Sequence, residues 1–176
     1  MMNNKIKIQL KQITKSDLNL LKEWRNSKSI FANNTQFFLL NSKLQNDWFK
    51  LLENDSSRQM FMILHNKIKI GICGLIDIDK DNKNAKVAII IGKLNLHSKG
   101  LGTSTLNNLL EYGFKKLNLH RIEAEIIEYN QNSIHFFAKS KFKIDAIYRD
   151  AIWRNNQWWS IHTMSILKRD FYRMYY

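Results

Sequence analysis

A chain of 176 residues with 44% hydrophobic and 12% aromatic side chains can bury a core and is too apolar to stay disordered. Its formal charge is +13, but the basic residues are scattered and form no arginine block; this argues against nucleic acid and leaves phosphate-bearing small molecules or a plain lysine coat. No apolar run nears the ~20 residues of a membrane span, the opening MMNNKIKIQLKQ lacks a signal-peptide core, and one cysteine, Cys73, excludes an internal disulfide framework; a cytoplasmic bacterial protein with no membrane partner is expected.

With no internal repeat, linker or composition break, residues 1–176 read as one domain. Lys5 to Lys11 alternates apolar and polar residues, as a half-buried strand does. Ser16 or Asp17 can cap the helix DLNLLKEWRN, with Leu18, Leu21 and Trp24 on one stripe. A second helix from about Ser42 to Glu53 puts Leu44, Trp48, Leu51 and Leu52 inward. Arg58–His65 and Lys67–Ile78 read as strands about a turn at Asn66, and Asp79–Asn84 as a polar hairpin. Lys86–Gly92 is a β-branched buried strand. A glycine loop and a helix from Thr103 follow, then a strand in HRIEAEIIEY and a short helix over Gln131–Lys141. Strands over Phe142–Trp153 and Trp158–Leu167 close the chain. Seven strands and four helices in this order predict an α/β fold, a mixed sheet layered by helices.

HSKGLGTSTLNNLL, from His97, is the most informative stretch. The chain has only 6 glycines and no proline, yet it sets Gly100 and Gly102 at the mouth of an amphipathic helix. Glycines let backbone approach a ligand, and free helix amides point at anions, with Lys99 adding charge. No Gly-Lys-Ser/Thr follows, so this is not a Walker loop, and no third glycine makes a dinucleotide fingerprint.

From Ile89 to Phe142 the chain resembles the GNAT acyl-CoA N-acyltransferase family. That family's cofactor loop runs Gln/Arg-x-x-Gly-x-Gly/Ala after its fourth strand; here it reads His97-Ser98-Lys99-Gly100-Leu101-Gly102. The family's Asn-x-x-Ser/Ala segment, leading a helix that ends in Gly-Phe, has its counterpart in Asn130-Gln131-Asn132-Ser133 and then Lys141-Phe142. The resemblance implies a mostly antiparallel mixed sheet of about seven strands, splayed between the fourth and fifth, with acetyl-CoA as cofactor. It also implies that amides from Ser98 to Thr103 hold the pyrophosphate, that Ile91 and Gly92 pair with the pantetheine arm, and that Asn130, Ser133 and Phe137 flank it.

LKEWRN, LLEYGFKKLNLHRIEAEI and YRDAIWRNNQWWSIHTMSIL are similar to the branch that acetylates ribosomal-protein N-termini, polyamines and amino sugars. Glu23-Trp24-Arg25-Asn26 with the Trp48-Phe49 helix looks most like enzymes acting on nucleotide-linked amino-deoxysugars of surface-glycan pathways. A small-molecule amine, first a nucleotide-linked amino sugar, is therefore the expected acceptor, with a protein N-terminus or a polyamine as alternatives. Trp24, Arg25, Asn26 and Trp153 are the expected acceptor contacts. The aromatic tail and the resemblance suggest a homodimer.

Acetyl transfer needs an amine freed of its proton, a stabilised oxyanion, and a proton for the departing thiolate. Backbone amides near Ile91 and Gly92 are the expected oxyanion donors. The position of the family's thiolate-protonating tyrosine holds Phe137, which has no proton to give; the resemblance to the ribosomal-protein-serine branch makes Ser133 the expected group for the departing thiolate. The fourth strand carries no carboxylate, so Asp150, which period-two spacing places with Tyr148 and Ile152, is the expected base, with Glu123 and Glu125 as others. These departures keep a third reading open, a coenzyme A-binding module without catalysis. Cys73 reads as buried packing and not as a nucleophile, and His97 and His120 have no partners at ligand spacing, so no metal is expected.

Overall fold

The computed structural model describes residues 6–97 and 99–175, and it is built on one seven-stranded sheet of order β1-β2-β3-β4-β5-β7-β6. The strands are β1 (Ile8–Gln12), β2 (Gln59–His65), β3 (Ile68–Asp79), β4 (Asn84–Ile91), β5 (Arg121–Ile127), β6 (Lys143–Arg154) and β7 (Gln157–Leu167). Every neighbouring pair is antiparallel except β4 and β5, which are parallel. That pair registers only from Asn84 with Arg121 to Lys86 with Glu123, and beyond it the two strands diverge into a V.

Helices cover both faces. On one, α4 (Leu101–Glu111), α5 (Gln131–Lys139) and α6 (Lys168–Tyr175) bury Leu106, Leu109, Leu110, Phe137 and Phe171 against Ile63, Ile70, Leu75, Ile122 and Met164. On the other, α1 (Leu18–Asn26) and α3 (Ser42–Asn54) pack Leu18, Leu21, Trp24, Trp48 and Leu52 on Met62 and Leu64. Consecutive residues Met62, Ile63 and Leu64 are thus all buried, the signature of a strand covered on both sides.

The element order follows the sequence reading, with two helices added. The first, α2 (Lys28–Asn33), is set off from α1 by extended backbone at Ser27. The second is the basic aromatic tail, which folds as α6 and seats Phe171 against the Phe114 ring of its own chain, 5.3 Å between centroids. The inner face of α3 also differs from expectation. Leu44 and Leu51 are 41% and 66% exposed, while Gln45 is buried and Trp48, Phe49 and Leu52 pack inward, a shift in phase around the helix.

Asp17 stands at the N-cap of α1, but its side chain makes no capping hydrogen bond to that helix. Its carboxylate accepts from the amide and hydroxyl of Thr14, both at 2.8 Å, and from the Lys69 ammonium. Burial alone would raise its pKa; the hydrogen bonds from Lys69 and Thr14 outweigh burial and hold it below the ordinary carboxylate value. A depressed folded-state pKa means that this stability is present above the unfolded carboxyl's pKa and lost as pH falls through the folded one. Asp17→Asn should cost about 1–3 kcal/mol in neutral denaturant melts and flatten the acid limb of the stability–pH curve, because the amide leaves Lys69 unpaired.

Candidate active site

The V between β4 and β5 is the centre of the site. The Gly92 amide donates to the Ile70 carbonyl of β3 at 2.8 Å, so Gly92 is held in the ladder and offers no oxyanion donor; this corrects the expectation for that residue. Along an antiparallel ladder the backbone groups alternate in direction, and Ile91 is the next residue back. Its amide and carbonyl therefore face the β5 side, into the V. The carbonyl is met by His97 Nε2 at 2.9 Å, and because a carbonyl only accepts, Nε2 carries the hydrogen. His97 thus ties the loop to the end of β4, and Ile91 is left as the residue whose amide opens on the gap.

Gly92 has its own reason to be glycine. A Cβ there would stand 2.1 Å from Cδ2 of Trp24, so the indole lies directly on the backbone at the end of β4. This also relocates Trp24. It is a buried anchor between α1 and the sheet, not an acceptor contact.

The glycine loop leads into the N-terminus of α4. Gly100 adopts φ +74°, a left-handed conformation that glycine takes without penalty, and it stands as the N-cap with no side chain capping the helix. The first intrahelical bond runs from the Ser104 amide to Gly100, so the amides of Leu101, Gly102 and Thr103 have no helical partner. These amides and the helix dipole suit the diphosphate of a cofactor. Ser98 of the expected loop lies outside the described residues. The Leu101 side chain is buried, which leaves only its backbone for a ligand, while Lys99 is exposed beside a cleft of about 340 Å³ lined by Ile6, His65, Ile70 and Leu101.

Across the cradle stands Phe136. A Cβ on Gly102 would lie 3.4 Å from its ring, so Phe136 faces the loop. Phe137 instead is buried between Phe136 and Phe142, with centroids 5.0 and 4.9 Å away. Of the two adjacent phenylalanines, which a helix sends about 100° apart, Phe136 is the one that faces the glycine loop.

Asn130 is the N-cap of α5, its side-chain oxygen accepting from the Ser133 amide at 3.2 Å. Ser133 is half-buried in the first turn, and its hydroxyl makes no hydrogen bond among the described residues. The other proton-transfer candidates fare differently. Between Tyr148 and Ile152 the β6–β7 register slips, four residues of β6 spanning two of β7 from Ile161 to Trp159. Tyr148 and Ile152 stay on one face, opposite Ile161 and Trp159, but Asp150 lies inside the bulge, exposed and with φ +50°, outside the regular pleat expected to align it with them. Glu125 is engaged by Lys86 at 2.9 Å and Glu123 by Arg121 at 3.1 Å. Glu125 holds the Lys86 ammonium above its usual pKa at the fork of the V. Cys73 is buried and burial pushes its thiol far above the ordinary range, so it is no nucleophile.

The far wall of the site is the connection between α2 and α3, and Arg25, Asn26 and Arg154 build it. Asn26 both donates to and accepts from the Leu40 backbone, at 2.7 and 2.9 Å. Arg25 donates to the Gln36 carbonyl. Arg154 donates to the Thr35 carbonyl and to the Tyr129 hydroxyl, both at 2.8 Å, and its guanidinium carbon lies 4.3 Å from the Phe37 ring centroid. Tyr129 in turn donates to the Ala32 carbonyl. Trp153, expected as an acceptor contact, points away from Arg154 by strand alternation. It is 55% exposed and packs edge-on against Trp158. Nothing in the local pattern marks Tyr129 or Phe136 as neighbours of these elements, since both connections are long-range.

A splayed parallel pair in an otherwise antiparallel sheet, with a glycine-opened helix at its mouth, defines an acyltransferase of the acyl-CoA class. The chain belongs to the acetyltransferase (GNAT) domain family, whose sequence profile matches residues 7–143. It is thereby an N-acetyltransferase with acetyl-CoA as donor. Similar proteins include the uncharacterized N-acetyltransferase p20 of Bacillus licheniformis, 30% identical over 120 residues, 68% of this chain and 67% of that protein. Spermidine N(1)-acetyltransferase of Escherichia coli (strain K12) is 25% identical over 118 residues, 67% of this chain and 63% of that protein. The alignments thus span about two thirds of these relatives' lengths. The spermidine N-acetyltransferase of Vibrio cholerae, solved in complex with CoA and spermine, superposes with a TM-score of 0.86 over 97% of this chain and 99% of its own, at 20% identity, and so shares the fold. Among the described residues no helix is long and apolar enough to cross a membrane, and no three metal-ligating side chains cluster.

Proposed function

We propose that the chain transfers the acetyl group of acetyl-CoA to the primary amine of a small molecule, with a polyamine of the spermidine class as the first acceptor. The observation that carries the transfer reading is the V itself. The Ile91 amide opening on it can polarise the thioester carbonyl, while the free amides of Leu101, Gly102 and Thr103 take the diphosphate. Ser133, at the N-terminus of α5, is the side chain we assign to the departing thiolate. A desolvated amine can lose its proton to water at the mouth of the V, a path that needs no carboxylate on β4.

The polyamine acceptor is supported by the relative named for spermidine, and it replaces the nucleotide-linked sugar as the leading choice. The sugar nucleotide stays as a second reading on one observation. Arg25 and Arg154 are buried in the acceptor wall with no carboxylate partner among the described residues, and a polycation would meet them with repulsion. Thiol release from acetyl-CoA, followed with spermidine, spermine and a uridine-diphosphate-linked amino sugar, tests both readings. Turnover with the polyamines alone supports the first reading, and turnover with the sugar nucleotide alone replaces it with the second. No release with any amine overturns the transfer proposal.

A further inference from the structure

The two arginines of the acceptor wall are unusual in a chain whose other basic groups lie mostly in water. Arg25 is 8% exposed and Arg154 3%. They donate to successive carbonyls, Gln36 and Thr35, which sets the two guanidiniums side by side beneath the α2–α3 connection. Neither forms an ion pair among the described residues. Nη1 of Arg25 and Nε of Arg154 are buried with no hydrogen-bond partner among the described residues.

Burying one guanidinium is costly unless its donors are matched, and two like charges in one place add repulsion to the desolvation. Burial, and then the charge of Arg154, lower the pKa of Arg25. Backbone carbonyls and the Phe37 ring offset part of this cost, but neither carries a negative charge. A phosphate would: its oxygens accept several N–H donors at once and suit the planar fork of arginine. The pair is also joined to elements that border the V. Arg25 follows Trp24, whose indole lies on Gly92 at the end of β4, and Arg154 is bonded to Tyr129, two residues beyond the end of β5.

We propose that Arg25 and Arg154 form a phosphate-binding subsite in the acceptor wall, separate from the glycine cradle that takes the diphosphate of the cofactor. The subsite rests on the acceptor-cleft reading above and holds for a phosphate carried by the acceptor or for a free one bound beside it.

The experiment follows the Arg154 Nε–H signal by nuclear magnetic resonance in protein labelled with ¹⁵N-arginine, assigned by its loss in Arg154→Lys. Saturating acetyl-CoA is present throughout, so the cradle is filled. Its stabilisation of the chain against heat is recorded separately, and a failure of the cofactor reading shows there. Inorganic phosphate, uridine diphosphate and phosphoethanolamine are titrated in turn. The signal should move saturably, and Arg25→Gln should weaken the binding about tenfold or more. Arg25→Lys, which keeps the charge but loses the fork, should weaken it in the same direction and stands in if Arg25→Gln does not fold. Saturation by inorganic phosphate assigns the subsite to a free anion; a response to phosphoethanolamine alone assigns it to an acceptor-borne phosphate. If none of the three probes moves the signal, or the Arg25 variants bind as the wild type does, the subsite does not exist.

Discussion

Gly102→Trp is expected to leave the folded chain intact and to abolish its stabilisation by acetyl-CoA. At a cofactor concentration 100 times its dissociation constant, linkage gives the wild type about 2.7 kcal/mol, roughly 5–10 °C in melting temperature for a chain of this size. A side chain at Gly102 starts 3.4 Å from Phe136 and is turned outward, across the unpartnered amides of Leu101, Gly102 and Thr103. The helix itself tolerates it, because position 102 has ordinary helical backbone. Gly100→Ala is the contrasting variant. There φ is +74° and the new Cβ would sit 2.9 Å from Cδ1 of Ile6, so the folded state should lose about 1 kcal/mol or more while cofactor binding persists. The pair separates the two uses of glycine in the loop: a left-handed turn at 100, an open approach at 102. Thermal melts of both variants with and without acetyl-CoA decide it, and a full shift in Gly102→Trp would take the cofactor away from these amides.

The fold was legible because its cues are local. Alternation, turn residues and helical stripes mark seven strands and the main helices in order, and the family resemblance implies the splay between the fourth and fifth strands; that this pair is parallel is seen only in the fold. What escaped depended on phase or on partners far along the chain. One residue of phase exchanges Phe136 for Phe137, and a similar slip turns Leu44 and Leu51 of α3 out to solvent. The β6 bulge inserts two residues between Tyr148 and Ile152 and so takes Asp150 out of the pleat in which alternation alone would place it. The Arg154 bond to Thr35 joins residues 119 apart, and no pattern within the strand marks it. By sequence, Trp24-Arg25-Asn26 offers three acceptor contacts. In the fold it divides its work: an indole on the sheet, an amide clamped to Leu40, and between them a guanidinium with a nitrogen to spare.

That division makes Gly92 the point where α1 and the site are coupled, and it carries the second large effect. Gly92→Ala places a methyl 2.1 Å from the Trp24 ring, within overlap distance, and Trp24 is packed among Leu18, Leu21, Met62 and Leu64 with no free side to move to. Overpacking of this kind should cost about 1–3 kcal/mol, and Trp24→Ala, which leaves a cavity, about 3–5 kcal/mol. Trp24→Ala also removes the ring atoms that clash, so in the double variant the added cost of Gly92→Ala should shrink, with a coupling of about 0.5–3 kcal/mol in the cycle. Chemical denaturation of the four proteins measures it. The coupling matters because the Gly92 amide is fixed to Ile70 while Ile91, one residue before it, opens on the V. If the indole carries α1 with it when displaced, Arg25 moves relative to Ile91, and acetyl transfer should fall in Gly92→Ala by more than the lost fraction of folded protein. Strict additivity would instead mean that the ring yields alone, and that nothing in this contact sets the acceptor wall against the strand.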